Sequence, residues 1–444
     1  MKVIRKIITS TFVLCSILQI SAQDSTRYLT LSQACQLGAN NNINVVNASL
    51  ETQKTRYQVK ETQSTFYPQL EGYSDLNYYY AIPKMLFPGE FFGASGEIPV
   101  EIGTKYDWSS GFKASLILFN RSYYTATALA KRMQHLSELS LEQKKEEVVY
   151  QVSQVYFLCQ STSTQISYLG KNMLNTDRLL DILKKQSENG VARKIDYSKV
   201  LVTKNNLQTQ LDKLVQLYEQ QIALLKFLTG MDFKIKVELT DSLSFSQMAQ
   251  ISELSDFNGR TAIKILDKQM EVASFNKNAS LQSYLPSLSA SGQLFYQGQQ
   301  NDFNYFKGSD KFFKVGFVGL NLSVPIFDGF EKHAKAQQYK IELLQLENTR
   351  KNTSDNFQKD YTDASGQYNN NLKAALRQQE NIAIAEEDYN ITLQNYRQQV
   401  VPLSDLMLSG NSLTEARLSY VDALLQLKNA ELEVKKLKGD LLKF

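Results

Sequence analysis

Few residues of this sequence are placed for catalysis or for metal binding. The chain of 444 residues has two histidines, His135 and His333, which lie far apart with no cysteine close to either. A site of histidine and cysteine ligands is therefore not expected, because such ligands recur at short spacings. Cys35 and Cys159 lie on predicted helices and are expected to be buried thiols. The motifs GxxxxGK(S/T), HExxH and GxSxG do not occur, so the sequence predicts neither an enzyme nor a cofactor.

Two aspartates occupy repeated positions near predicted helix turns. Asp196 comes six residues after Gly190, and Asp405 comes six residues after Gln399, so each is expected one to two turns into a helix. A carboxylate that faces a narrow aqueous passage attracts cations and repels anions. The helix dipole also favours acidic residues in a first turn, and this alternative needs no ligand. Other acidic groups, expected to form solvated helix faces, include Glu146-Glu147 and Glu386-Glu387-Asp388.

The N-terminal residues have the pattern of a secretory signal peptide. A basic start at Lys2, Arg5 and Lys6 precedes the apolar run Ile7–Ile20, which small residues follow as a cleavage site. A membrane anchor is the alternative, but the run is short for a helix that spans a bilayer. Removing residues 1–22 lowers the net charge from +4 to about +1, so the basic balance does not indicate nucleic-acid binding.

The mature chain is an internal duplication. Three pairs of matching segments, at offsets of 218, 208 and 209 residues, are Pro68 with Pro286, Leu116–Asn120 with Val324–Asp328, and Asp196 with Asp405. Both halves end on glycine, Gly230 and Gly439, the usual residue just past a helix end. The predicted organisation is a signal peptide at 1–22, a first repeat at 23–230, a linker at 231–255 and a second repeat at 256–444.

Two segments in each repeat alternate apolar and polar residues, which is typical of a strand with one apolar and one polar face. The four predicted strands are Tyr67–Tyr80, Tyr106–Asn120, Tyr284–Gly298 and Phe312–Phe327. Each would span roughly 40–50 Å, enough for a tilted outer-membrane wall with aromatic residues at its interfaces. The aromatics near strand ends are Tyr78, Tyr79, Tyr80, Trp108, Phe295 and Tyr296.

Helices fill the rest of each repeat. A helix of moderate length, at about 43–66 or 259–284, leads into the first strand, and a long helix follows the second, from about 121 to 189 in the first repeat. A turn and a shorter returning helix come next. The second long helix has a heptad seam from Phe357 to Tyr396, with alanine, glutamine and glutamate at several positions. Such seams favour helices packed side by side in a curved wall over a solitary coiled coil.

Four strands cannot close a barrel within one chain, and open sheet edges cannot lie in lipid. The chain is therefore predicted to share a barrel with copies of itself. Two copies would supply eight strands, whose interior is filled by side chains, and three would supply twelve, enough for a lumen. The alternative is a periplasmic coiled-coil adaptor or an envelope scaffold without a pore, whose sheet packs one dry face on a partner.

The sequence resembles the TolC-like outer-membrane efflux proteins. The segments that carry the resemblance, which extends over the mature chain, are YLTLSQACQLGANNN, the paired YPQL and LPSL, LSVPIFDGF, and the helix ends LTG and LKG. The resemblance implies a mixed membrane β-barrel and α-barrel, closed as a homotrimer of twelve strands and twelve helices. It also implies the exit duct of a tripartite efflux or type I secretion system, fed by an inner-membrane transporter through a periplasmic adaptor protein. Outer-membrane lipid is a further expected partner, and nucleic acid is not.

The resemblance also points to an aperture near the hairpin turns. In a threefold assembly each such residue forms a ring, and Asp405 lies where the family has an aperture aspartate. The family pattern has a second aspartate three residues later, where this sequence has Leu408, so an apolar constriction is expected to share in the seal. Asp196 is the counterpart in the first hairpin. Arg193 and Lys194 are expected to pair with carboxylates of a neighbouring helix.

The inner ends of the hairpins are predicted adaptor contacts. The family meets its adaptor there, and exposed valines would make a small apolar tip. An ordinary helix turn is the alternative, with Gly190 present only for its backbone freedom. The residues predicted for this contact are Gly190, Val191, Val400, Val401 and Pro402. The cargo stays open among drugs, metal ions and secreted proteins.

Overall fold

The computed structural model describes residues 26–93, 95–188, 193–244, 256–306 and 312–443. The helices in these ranges are α1 (Leu31–Asn41), α2 (Ile43–Ser64), α3 (Arg121–Glu188), α4 (Lys194–Thr229), α5 (Thr261–Gln282), α6 (Glu331–Arg397) and α7 (Leu403–Lys438). The strands are β1 (Arg27–Leu29), β2 (Gln69–Tyr78), β3 (Lys84–Pro88), β4 (Glu97–Glu101), β5 (Tyr106–Phe119), β6 (Val237–Leu239), β7 (Ser287–Gln300) and β8 (Phe312–Ser323). None of these helices combines the length and the apolar character needed to cross a membrane. The predicted signal peptide lies outside the described residues.

The chain divides into two compact units. The sheet unit comprises Leu50–Glu138 and Ile265–Arg350, and the helical unit comprises Leu139–Lys264 and Lys351–Phe444 together with the N-terminal segment up to Ser49. Both units draw on both halves of the sequence, because each predicted repeat supplies strands to one unit and helices to the other.

The sheet unit contains one antiparallel sheet of four strands in the order β2-β5-β7-β8. All four predicted strands are confirmed, although β2 has only 10 residues and β8 ends at Ser323. The segment Val324–Phe327 was predicted to be strand. It is unpaired within the chain because the partner of Ser323 is Ser287, the first residue of β7.

The two faces of this sheet differ in chemistry. On the polar face Lys113 pairs with Glu71 at 3.1 Å, and Gln297 donates to Asp107 at 2.9 Å. Many apolar residues of the other face are strongly exposed, because no described part of the chain covers them. This exposed apolar face includes Leu70, Leu76, Phe112, Leu294, Val318, Leu320 and Leu322. The alternation predicted from the sequence is therefore realised across the sheet.

The loop between β2 and β5 holds a small hairpin that the sequence analysis missed. Its strands β3 and β4 pair antiparallel, with Phe87 opposite Ile98. The sequence of this hairpin does not predict its strands, because it contains prolines and glycines, which usually mark turns. In a two-stranded ribbon every strand is an edge, where proline is tolerated.

The helical unit is built on hairpins of long helices. The predicted heptad seam of α6 packs in its first half, where Tyr361, Tyr368 and Ala375 are buried against Leu427 and Val434 of α7. Further along α6 the seam residues Gln379 and Glu386 are exposed. Small and polar seam residues therefore leave this part of the helix open to water or to another helix.

The N-terminal segment is fixed to the linker between the repeats. Strand β1 pairs in parallel with β6, which lies within the predicted linker. Asp241 accepts hydrogen bonds from the Leu31 backbone at 2.8 Å and from the Tyr156 hydroxyl at 3.0 Å. Because Tyr156 is fully buried, its pKa is raised above the ordinary value. A core of α1, α3 and α4 side chains lies beneath this sheet.

In both repeats the residue before the moderate helix contacts the end of the returning helix. In the first, buried Asn42 donates from Nδ2 to the Leu228 carbonyl at 2.9 Å. In the second, the buried guanidinium of Arg260 lies beside Gly439, where a Cβ atom would come within 2.7 Å of Nη1. Gly230 and Gly439 end their helices with φ of 65° and 81°, which favour glycine, as predicted.

The prediction for Glu146 and the prediction for the two cysteines have different outcomes. Glu146 does not belong to a solvated face: its carboxylate is 16% exposed and accepts a 2.7 Å hydrogen bond from the Thr261 hydroxyl. The sequence does not predict this contact, because Thr261 lies in the other half of the chain. Cys35 and Cys159 are buried free thiols, as predicted. Burial raises the pKa of Cys159 to about 12, so this thiol is unreactive at neutral pH.

Candidate functional site at the ends of the helical hairpins

The predicted aperture and tip residues lie where the hairpins α3–α4 and α6–α7 turn. Helix α3 ends at Glu188, and α4 begins at Lys194 with Arg193 as its extended N-cap residue. Gly190 and Val191, predicted to contact an adaptor, lie outside the described residues. The rest of this site belongs to the helical unit.

Asp196 is the third residue of α4 and lies in its first turn. Arg193 binds its carboxylate through two hydrogen bonds, Nε to Oδ2 at 3.0 Å and Nη2 to Oδ1 at 3.2 Å. The carboxylate is 14% exposed and the arginine side chain 78%. Within this chain Arg193 therefore pairs at the start of its own helix, and its pairing with a carboxylate of a neighbouring helix stays a prediction. Lys194 is exposed.

The second turn has a left-handed residue that the sequence did not reveal. Gln399 has a φ of 62°, and the amide of Val400 donates to the Asn395 carbonyl at 2.9 Å. These features close α6 with the geometry that usually takes glycine. Val400 is 69% exposed, whereas Val401 is only half-exposed, so the predicted apolar tip is smaller than expected. Pro402 is the extended N-cap residue of α7.

Asp405 and Leu408 lie on one exposed face of α7. Asp405 is the third residue of the helix, its amide donates to the Pro402 carbonyl at 3.2 Å, and the Ser404 hydroxyl donates to its Oδ1 at 3.1 Å. Leu408, three residues later and therefore on the same face, is 68% exposed. Both aspartates thus lie in first turns, earlier than the predicted one to two turns. This position suits the helix dipole and also leaves Asp405 free to face a lumen.

A small core fixes these turns to one another. Leu180, Leu183, Val200 and Leu403 are buried together, and Tyr197, Tyr396 and Met407 pack against them. A groove of about 860 Å³ runs beside this core and includes Arg178, Asp196, Tyr389 and Arg397 among its walls. Burial raises the pKa of Tyr396, and the charge of Asp196 adds to this shift.

Polar contacts between helices hold the hairpins together, and the sequence analysis missed them. Lys204 pairs with Asp177 at 2.7 Å across the first hairpin, and Arg417 pairs with Glu386 at 2.8 Å across the second. Asn172 of α3 donates to the Thr414 hydroxyl of α7 at 2.8 Å, which joins the two hairpins. The same guanidinium of Arg417 lies over the Tyr168 ring. Each of these contacts joins residues on different helices, so the periodicity of the sequence does not predict it.

The chemistry of these groups is that of charge and shape rather than of catalysis. Within the ranges that the structure describes, no group of three or more histidine, cysteine or acidic residues is placed to hold a metal ion. The arrangement offers an exposed carboxylate at one helix start, Asp405, a carboxylate bound by arginine at the other, Asp196, and a groove with positive and negative walls.

Comparison with known proteins agrees with this architecture. Residues 35–231 match the family model for outer membrane efflux protein, and no curated protein matches the chain. The fold is similar to that of CusC, with a TM-score of 0.71, 16% identity and coverage of 95% of each chain. It is also similar to the CmeC outer membrane channel of Campylobacter jejuni, with a TM-score of 0.69, 17% identity and coverage of 92% of this chain and 85% of CmeC.

A third similar structure is the open state of the MtrE outer membrane channel of Neisseria gonorrhoeae. The TM-score is 0.70 at 15% identity, covering 93% of this chain and 89% of MtrE. The TolC-like fold class predicted from the sequence is thereby confirmed. Residues 35–231 therefore match the outer membrane efflux protein family, and the chain shares the fold of CusC, CmeC and MtrE.

Proposed function

We propose that three copies of this protein form an outer-membrane channel continued by a periplasmic tunnel, the exit duct of a tripartite efflux or type I secretion system. The observation that carries this proposal is the four-stranded sheet. One of its faces is apolar and exposed, and among the described residues its edge strands β2 and β8 have no further strand partner. The match of residues 35–231 to the outer membrane efflux protein family supports the same function, because that family is one of channel proteins rather than enzymes.

Closure by identical copies is compatible with the order of the strands. Neighbours in the sheet are antiparallel, so β2 and β8 run in opposite directions. When copies are arranged around an axis, β8 of one copy can meet β2 of the next and keep the whole sheet antiparallel. Three copies supply twelve strands, which leave a lumen, whereas the eight strands of two copies would be filled by side chains.

The partners of the proposed duct follow from the family. Its members work as trimers with periplasmic adaptors and inner-membrane transporters, and we assign partners of these classes to this chain. The apolar sheet face would contact outer-membrane lipid, and the hairpin ends would lie in the periplasm, where an adaptor can reach them. The alternative of a periplasmic adaptor or scaffold without a pore is not favoured, because the chain has the fold of complete outer-membrane channels.

The test is to extract the protein from membranes, first with salt and then with detergent, and to measure the mass and conductance of the product. We expect release only by detergent, a particle of three chains, and ion conductance in planar bilayers without ATP or metal. Release by salt alone, or a conducting monomer, would overturn the proposal. The adaptor-like alternative predicts a protein that does not conduct.

A further inference from the structure

The two outer edges of the sheet are prepared for strand pairing. Leu76 on β2 is 50% exposed, and Leu320 on β8 is 71% exposed. The segment after β8 is also uncovered, with Ile326 93% and Phe327 74% exposed. Unpaired edges with exposed apolar residues are unfavourable in a lone chain, so a further strand is expected on each edge.

The internal duplication predicts that equivalent residues are paired in the two β-hairpins, and the structure agrees with this prediction. In the first hairpin Leu70 lies opposite Ala114. Shifting Leu70 by 218 residues and Ala114 by 208 gives Leu288 and Leu322, and these residues lie opposite each other in the second hairpin. The sequence offsets found between the repeats therefore predict which residues of equivalent strands are neighbours.

The same rule can be applied to the contact between the repeats. Within the chain, β5 of the first repeat pairs with β7 of the second, and Phe112 lies opposite Leu294. In a ring the second repeat meets the first repeat of the next copy. The residue 208 positions after Phe112 is Leu320, and the residue 218 positions before Leu294 is Leu76.

We propose that β8 pairs with β2 of the partner subunit in a register that places Leu320 opposite Leu76 of the partner subunit. This inference rests on the proposed assembly, in which identical copies close the sheet. It specifies the interface by a second copy of this chain and by residue pairs. The contacts within a single chain do not include these residue pairs.

The chemistry of the predicted pairs is consistent on both faces. On the apolar face Val318 would meet Tyr78 of the partner subunit, and on the polar face Asn321 would meet Asp75 of the partner subunit. Pairs of β-branched with aromatic residues stabilise antiparallel sheets. A slip of one residue would place Leu320 opposite a polar residue of the other face, Asp75 or Asn77, and is disfavoured for this reason.

The register also accounts for the exposed segment after β8. Its equivalent in β5 continues to pair with β7 up to Phe119, past an irregularity between Ile117 and Phe119. By the same offset of 208 residues, Pro325 falls at the position of Ile117, and Phe327 falls at that of Phe119. Proline is tolerated at edges and bulges. We therefore expect Val324–Phe327 to become strand when the copies assemble.

Cysteine cross-linking tests this register. Directly opposite residues have Cα atoms about 4.5–5.5 Å apart, within reach of a disulfide, whereas a shift of two residues separates them by about 8 Å. The test variant is L320C/L76C, and the shifted variants are L320C/S74C and L320C/Y78C. Of the native cysteines, Cys35 and Cys159 are buried and Cys15 belongs to the predicted signal peptide. F112C/L294C, the equivalent pair within one chain, is the positive control for oxidation.

On a non-reducing gel of the oxidised trimer, L320C/L76C should give covalent multimers several-fold more abundantly than either shifted variant. A stronger cross-link in a shifted variant, or none in any variant of an intact trimer while F112C/L294C forms, would overturn the register alone. A native protein that is monomeric in detergent would overturn the proposed assembly and this interface with it. Size-exclusion chromatography of each variant separates these outcomes.

Discussion

At the scale of single residues, the two aspartates of the hairpin ends have different environments. Asp196 is bound by Arg193 and is mostly buried, whereas Asp405 has only the Ser404 hydroxyl and is exposed. A bound carboxylate offers less net charge to passing ions than a free one. Asp405 is therefore the better candidate for an ion-selective ring, and Asp196 for a local brace of the helix start.

Replacing Asp405 with asparagine should weaken the cation preference of the channel several-fold or raise its resting conductance. The reason is that a ring of carboxylates favours cations in a narrow aqueous lumen, and the amide removes this charge. Single-channel recordings under a salt gradient measure the change. Ser404→Ala, which keeps the carboxylate, is the matched control. If D405N keeps the native selectivity and resting closure, Asp405 is only a helix-start residue.

At the scale of elements, buried polar residues join the ends of helices. Asn42 links α1, α2 and α4, because it donates to the Leu228 carbonyl and accepts from the Asn44 amide at 2.9 Å. Its counterpart Arg260 lies at the end of α7 beside Gly439. The carbonyl end of a helix carries partial negative charge, so an amide or guanidinium there is favourable.

Replacing Asn42 with alanine should destabilise the protein by about 1–3 kcal/mol, because the partly buried Leu228 carbonyl loses its donor and α2 loses its cap. The apparent unfolding temperature of the trimer in detergent reports the loss. Asn44→Ala is the control, since this side chain is exposed. Equal effects of the two substitutions would show that the Asn42 contacts contribute little.

A second prediction at the scale of elements concerns Glu431 on α7 and the pH dependence of stability. Burial acts to raise the pKa of its carboxyl, but Lys435 and Lys428, at 2.9 and 3.0 Å, more than offset burial and lower the pKa below the ordinary 4.5. A lowered folded-state pKa contributes stability above the unfolded value, and this stability is lost as the pH falls through the folded value.

Glu431→Gln should therefore unfold at a lower temperature than the native protein near neutral pH, and the difference should shrink below about pH 4. Thermal unfolding across this range measures it. Glu51→Gln is the control, because the pair of Glu51 with Lys54 is exposed and worth little. A difference that persists unchanged into acid would mean that Glu431 acts through packing rather than charge.

At the scale of the whole molecule, the function proposed here depends on contacts that a single chain lacks. In the proposed duct the sheet would take another copy at each edge, and the hairpin ends would meet an adaptor. Among the described residues, Val400 at the turn between α6 and α7 is the most suitable valine for testing the adaptor contact, because it is exposed. Val401 is half-buried, and Val191 lies outside the described residues.

Replacing Val400 with aspartate should abolish export while trimers still form, because a charge at an apolar contact must be desolvated without a partner. Export in cells and trimer content on gels are the two measurements. Val400→Thr keeps the shape without a charge and should retain most of the export. Native export by V400D would exclude docking at this turn.

The sequence by itself determined the kind, order and duplication of the main elements. Alternation identified the strands β2, β5, β7 and β8, and heptads identified the packed half of α6, because each period states which face of an element is buried. The offsets between the repeats also relate the register of the first hairpin to that of the second. These are local or repeated signals, which a single sequence displays directly.

Only the tertiary structure decided which distant groups meet. The parallel pairing of β1 with β6, the contact of Thr261 with Glu146 and the partial burial of Val401 depend on how elements dock. The pairing of Arg193 with Asp196 shows the same limit at short range, because an arginine has several carboxylates within reach and backbone geometry selects one. Periodicity defines a buried face, but the partner of that face is set by the docking of elements far apart in sequence.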